Sequence, residues 1–206
     1  MTQNNNLLGV VLAGGLSRRM NKKNKFLKKF DKKTLIEIII DRATKQVPDI
    51  IINANINKSY FRKIKLEVVK DSIGGFKGPL AGILTGMEYG KKKNYKWLIT
   101  FPCDAPFFPL NLVKKFLEKL KNSKYKIVIA KSNNRMHPVF GMWSISLKDS
   151  LIDAIQKDNI RKIDLFIKQH NYAVLNFKYT KIDPFFNIND LSDLKKAKEY
   201  LNVYKS

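Results

Sequence analysis

The chain has 206 residues, with 40 Lys and Arg against 17 Asp and Glu, a net charge of +23. Hydrophobic residues make up 44% and aromatics 11%, which excludes a disordered chain, and this length buries roughly 70% of the unfolded surface, enough for one α/β core without a staple. The single cysteine, Cys103, excludes an internal disulfide framework and a cysteine-based zinc cluster, and it matches a reducing compartment. No apolar run reaches the roughly 18 residues of a membrane span. The opening MTQNNNLLGVV has no basic stretch ahead of its apolar run, so no signal peptide is predicted. These features together predict a soluble cytoplasmic protein, with no membrane association.

The positive charge raises nucleic-acid binding as a function. Against it, lysines are spread along the whole chain rather than clustered, and Arg, the better residue for bidentate phosphate and base recognition, is scarce. A solvated basic surface that attracts small anions is the expectation, with no specific nucleic-acid partner.

Residues 7–13 (LLGVVLA) read as a buried strand, followed by a loop carrying Gly, Arg and Lys. Residues 34–46 have helical periodicity, closed by Pro48. Residues 50–54 and 66–70, rich in β-branched side chains, are predicted strands. Residues 79–89 are predicted helical despite their glycines, with Pro79 in the first turn. A buried strand at 97–101 precedes a helix at 110–120 and strands at 127–130 and 139–143. Helices at 147–156 and 160–169, a strand at 172–177 and a helix at 190–201 follow, the last with Asp190 or Ser192 as N-cap. The alternation predicts a single domain over residues 1–206, a three-layer α/β/α Rossmann-like arrangement with a mostly parallel mixed sheet. In such sheets ligands bind beyond the carboxyl ends of the strands, where strand order switches.

Chemistry-bearing residues stand at those ends. After the first strand comes Leu12-Ala13-Gly14-Gly15-Leu16-Ser17-Arg18-Arg19-Met20, then Lys25. Paired glycines let a backbone approach a ligand and turn N–H groups toward phosphate oxygens, and Arg18, Arg19 and Lys25 supply charge to neutralise them. The segment is neither a Walker A loop nor a spaced GxGxxG, and a Gly-Gly turn also serves simply as a turn. Asp104, in Pro102-Cys103-Asp104-Ala105-Pro106, suits a hard cation such as Mg²⁺, which takes one or two carboxylates plus water and phosphate oxygens; it equally suits a cap or turn. Cys103 reads as a packed small residue rather than a nucleophile. Asn53, Asp71, the helix start Gly78-Pro79-Leu80-Ala81-Gly82, and Asn187-Ile188-Asn189 complete a rim, each also readable as a turn or cap. His137, before Pro138, reads as a structural or substrate-contact residue rather than a general base, and His170 as a surface residue.

In order and spacing, these motifs resemble those of the molybdenum cofactor guanylyltransferases, within the nucleotide-diphospho-sugar transferase-like superfamily. The likeness runs from the LAGG-x-S-x-RM segment through Lys25, Asn53-Ala54-Asn55, Asp71, Gly78 to Gly82, Pro102 to Pro106 and His137-Pro138 to Asn187-Ile188-Asn189. Asn21 and Asn24 depart from it, standing where the family usually has Gly and Asp. The resemblance implies transfer of GMP from GTP to the terminal phosphate of molybdopterin, with Mg²⁺ as cofactor and cofactor-handling or molybdoenzyme-maturation proteins as partners. A related CTP-dependent molybdopterin or sugar-phosphate nucleotidyltransferase is the alternative, against which Ala13-Gly14-Gly15 favours guanine. By matching position, Leu12, Ala13, Gly14 and Gly15 would contact GTP, and Lys25 and Arg18 its phosphates. Asn53 and Asp71 would contact the nucleoside, Asp104 would hold the metal, and Asn187 and Asn189 would face the pterin.

Overall fold

The computed structural model describes residues 6–14, 29–30, 33–75, 78–179 and 181–205. Its centre is β1 (Leu7–Leu12), an apolar run with no polar alternation, as a strand covered on both faces requires. Parallel to it lie β4 (Asp49–Asn53) on one side and β6 (Trp97–Pro102) on the other. β5 (Glu67–Val69) extends the sheet beyond β4, also parallel. On the opposite flank β8 (Arg135–Ser144) pairs antiparallel with both β6 and β7 (Ile127–Ser132), and β9 (Tyr172–Asn176) closes the edge parallel to β7. The order is therefore β5-β4-β1-β6-β8-β7-β9, with β8 the reversed strand. A short hairpin, β2 (Lys29–Phe30) with β3 (Lys33–Thr34), stands apart from this sheet; the periodicity of the sequence contained no sign of it.

Successive side chains of each strand enter opposite cores. Leu7 and Val11 of β1 join Ile99 and Phe101 of β6 beneath α1 (Leu35–Thr44) and α3 (Leu112–Leu120). Leu8 and Val10 join Leu98 beneath α2 (Pro79–Lys92), α4 (Lys148–Gln156) and α5 (Ile163–Lys168). This is the three-layer arrangement expected, since a parallel sheet must be covered on both faces. α1 begins at a complete capping box: the Thr34 hydroxyl accepts from the Glu37 N–H, and the Glu37 carboxylate accepts from the Thr34 N–H at 2.7 Å. α2 tolerates its glycines because Gly82, Gly86 and Gly90 recur every fourth residue on the side pressed against the sheet. A Cβ at Gly86 would stand 2.9 Å from Val10 Cγ2, and one at Gly90 2.6 Å from Ile145 Cδ1. α6 (Leu191–Lys205) ends the chain, and Asp190 is its N-cap, accepting from the Asp193 N–H at 2.9 Å.

The largest departure from the sequence expectation is β8, predicted at 139–143 and found to begin at Arg135. Asn133 and Asn134, with φ of 41° and 63°, form the two-residue turn that joins it to β7, left-handed positions that Asn accepts more readily than other side chains. Register then slips: Ala130 pairs with His137 but Ile129 with Gly141, so Pro138, Val139 and Phe140 have no partner on β7. Proline has no N–H for the ladder, and the resulting bulge pushes these three residues toward the carboxyl ends of the neighbouring strands. The Thr100 hydroxyl donates to the freed Val139 carbonyl at 2.6 Å, pinning the bulge to β6.

Candidate active site

A cavity of about 440 Å³ opens at the carboxyl ends of β1, β4 and β6, where strand order reverses direction about β1. Leu12 and Gly14 leave β1 into its floor, Asn53 leaves β4, and Asp71 follows β5. The first turn of α2 supplies Gly78, Pro79 and Gly82, and the β6 exit supplies Pro102, Cys103 and Asp104. The far wall is the start of β8, from Arg135 through the bulge to Phe140, with Asn187 from the late loop. Parallel strands explain the convergence, since each returns in the same direction and releases its motif at the same edge.

One end of the cavity is a hydrogen-bonded polar cluster. Asn53, buried, donates its amide to Asp71 Oδ1 at 2.8 Å, and Asn55 donates to Asp71 Oδ2 at 2.7 Å. The Asp71 N–H returns a bond to Asn55 Oδ1 at 2.9 Å. Gly82 is the residue that permits this arrangement, because a Cβ there would stand 2.4 Å from Asn53 Oδ1 and 2.6 Å from Leu12 Cδ2. Gly78 caps α2 at φ 65°, without a side-chain cap, so that helix presents its positive end to the cavity.

Asp104 stands in the middle of the wall, its carbonyl accepting from the Ile188 N–H at 2.8 Å. That bond ties the loop before α6 to the β6 exit and brings Asn187 to the rim. Among the described residues no three His, Cys, Asp or Glu side chains group as an all-protein metal site. Asp104 among the lining residues fits Mg²⁺ all the same, because that ion takes one or two carboxylates and completes its coordination with water and substrate phosphate oxygens.

At the other end, His137 is 9% exposed and Ser132 fully buried. The Ser132 hydroxyl lies 2.7 Å from His137 Nε2 and donates to Asp183 Oδ1 at 2.8 Å. The His137 ring packs on Phe185, centroids 4.9 Å apart and planes inclined by 33°. Burial pushes the imidazole below the usual histidine range; the nearby Asp183 carboxylate opposes this and Arg135 assists it.

The structure thus gathers Leu12, Gly14, Asn53, Asp71, Asp104 and Asn187 around one cavity. Ala13 is buried beneath the floor, its N–H donating to the Asn53 carbonyl at 2.8 Å, and so sets the path of the loop. Asn189 lies outside the lining; its N–H donates to Asp193 Oδ2 at 2.7 Å, at the start of α6. Gly15, Arg18 and Lys25 lie outside the described residues. No motif in the sequence marks Arg135, the cation among the described lining residues, or Ser132 and Asp183. Adjacent asparagines before Arg135 were the available sign of a tight hairpin flanked by Ser132 and Arg135, whereas Asp183 arrives from the loop after β9.

The family model for the MobA-like NTP transferase domain matches residues 9–172. The molybdenum cofactor guanylyltransferase of Nitrobacter hamburgensis is 36% identical over 191 residues, 92% of this chain and 91% of that protein. The enzyme of the same name from Haemophilus influenzae is 38% identical over 189 residues, 91% of this chain and 95% of its own length. In structure, the molybdopterin-guanine dinucleotide biosynthesis protein A of Archaeoglobus fulgidus superimposes with a TM-score of 0.73 at 22% identity, covering 95% of this chain and 99% of that one.

Proposed function

The chain is a nucleotidyltransferase belonging to the MobA-like NTP transferase family, and on that premise we propose that it joins the GMP of GTP to the terminal phosphate of molybdopterin, releasing pyrophosphate. The observation that carries this reading is the meeting of Gly14, Asn53, Asp71, Gly82 and Asp104 around one cavity at the switch of strand order. The nucleoside lies against the Asn53–Asp71 pair, whose side chains are joined by a hydrogen bond. The triphosphate meets backbone N–H groups at Gly14 and Gly15, with Lys25 and Arg18 supplying charge, while the Ala13 N–H is taken up by the Asn53 carbonyl. The pterin lies toward Asn187, which lines the cavity.

The attacking group is a phosphate monoester, whose second ionisation falls near pH ~6, so it is largely dianionic at neutral pH. It needs no general base. The barrier is the approach of one anion to another, and cations fixed around the α-phosphate lower it without reorganising during the reaction. Mg²⁺, when bound, supplies Lewis-acid neutralisation of the triphosphate, and Asp104 is the residue that would hold it. Lys25 and Arg18 neutralise charge that develops on the departing pyrophosphate. This chemistry belongs in the cytoplasm, where Cys103 stays a thiol.

The test is incubation with molybdopterin, Mg²⁺ and each of the four nucleoside triphosphates in turn, scored for dinucleotide. Product from GTP, and its loss in Asp104→Ala with the fold retained by circular dichroism, is the expected result. Product from CTP in preference to GTP would overturn the guanine assignment, and near-normal turnover in Asp104→Ala would overturn the role of that carboxylate.

A further inference from the structure

The strand order separates the two ends of the cavity. Asn53 leaves β4 and His137 sits on β8, with β1 and β6 between them. Three inter-strand steps of about 4.8 Å put these residues about 14 Å apart across the sheet. Asp104, at the β6 exit, lies between. A nucleoside held at Asn53 and Asp71 with its phosphates near Asp104 therefore leaves the His137 end for the heterocycle of the acceptor.

The protons at that end can be assigned from the bonding. An ionised carboxylate only accepts, and Asp183 Oδ1 accepts from both the Ser132 hydroxyl at 2.8 Å and the Phe185 N–H at 2.9 Å. Ser132 has one proton and gives it to Asp183. Its oxygen then has only lone pairs to offer at 2.7 Å from His137 Nε2, so that nitrogen carries the ring proton. Burial keeps the ring neutral. Nδ1 is left with a lone pair and no hydrogen-bond partner among the described residues, on a side chain whose open side is the cavity. Phe185, itself buried, stacks on the ring and fixes its plane.

We propose that Asp183 and Ser132 are positioning residues that hold His137 as its Nε2–H tautomer, so that Nδ1 accepts a hydrogen bond from an N–H of the acceptor's heterocycle. The tautomer assignment stands on the protein alone; the identity of the donor rests on the transfer reaction proposed above. A histidine in the opposite tautomer would present a donor and reject an N–H edge, so this relay selects for a heterocycle that donates at that position.

Two measurements test it. The first is ¹⁵N NMR of the histidine ring nitrogens in the full chain without substrate, at pH 7.5. A protonated Nε2 and a bare Nδ1 on His137 are expected, with the fixed pattern lost in Ser132→Ala; a protonated Nδ1 in the wild-type chain overturns the relay. Because that reading uses the wild-type chain, a variant that fails to fold does not shield the proposal. The second is the KM for molybdopterin and for GTP. His137→Ala raises the first at least tenfold and moves the second less than twofold. His137→Asn, whose amide oxygen can stand where Nδ1 stood, restores most of the loss, whereas His137→Gln does not. A KM change that falls on GTP, or rescue by Gln as complete as by Asn, overturns the acceptor role. If the chain transfers no nucleotide at all, the proposed reaction falls and the acceptor role with it, while the NMR result still decides the relay.

Discussion

Gly82 shows how much a single missing carbon decides at this site. In sequence it is one of two glycines in a predicted helix, where each costs up to ~1 kcal/mol relative to Ala. In the fold it is the space into which Asn53 Oδ1 fits, 2.4 Å from where a Cβ would be. Gly82→Ala must displace the Asn53 side chain, and with it the bond to Asp71, because the added Cβ would stand 2.4 Å from Asn53 Oδ1. Overpacking of this kind costs about 1–3 kcal/mol. We expect urea denaturation to show that loss and calorimetric titration with GTP to show affinity reduced at least tenfold. Unchanged binding would mean that the Asn53–Asp71 pair does not meet the nucleotide. Asp71 and Asn53 were legible as candidates from their positions after strands, but their bond to each other was not, because 18 residues separate them.

Among the elements, α1 is the one whose limits the sequence stated most clearly. Thr34 followed three residues later by Glu37 is a capping box by pattern, and both of its bonds are present. Thr34→Ala should destabilise the protein by about 1 kcal/mol, measured from the urea midpoint. The pH dependence of this cap has a definite sign. Bonds from the Thr34 N–H and hydroxyl hold the Glu37 carboxyl below its ordinary range. Its contribution is complete above the usual glutamate value near ~4.3 and is lost as pH falls through the lower value of the folded state. A Glu37→Gln variant should therefore lose less stability on acidification than the parent chain. β8 is the contrasting case. An N-terminal extension through His137 and Pro138 contradicts ordinary strand signals, because proline removes a ladder bond. The pairing of Ala130, Lys131 and Ser132 with His137, Met136 and Arg135, and the Thr100 bonds to the Val139 and Gly141 carbonyls, make it a strand.

At the scale of the whole molecule, the net charge of +23 speeds the arrival of a polyanionic nucleotide and makes that rate fall with added salt. Stability should respond to pH through the chain's two histidines. Burial holds both His137 and His170 below the usual range. The folded state then binds fewer protons than the unfolded chain just below pH ~6.5, so stability is complete above that value and falls as the solution is acidified through it. The urea midpoint at pH 5.5 should lie below that at pH 7.5, and His137→Asn combined with His170→Asn should remove most of the difference. Carboxylates titrate mainly below this window, so equal midpoints in the parent chain would contradict the desolvation of the buried His137 and half-buried His170 rings.

Unbroken apolar strands alternating with amphipathic helices, read from the chain alone, determined a doubly covered and largely parallel sheet, because that is how such strands escape water. The same pattern determined where chemistry would gather, since parallel strands release their loops at one edge. Tertiary structure alone decided that β8 would enter between β6 and β7 in reverse and bulge at Pro138. It likewise decided that Asp183 would meet Ser132 across 51 residues and that Ile188 would bond to Asp104. Periodicity records which side of an element avoids water. It carries no record of which distant hydroxyl, carboxylate or carbonyl will complete a hydrogen bond once that side is buried.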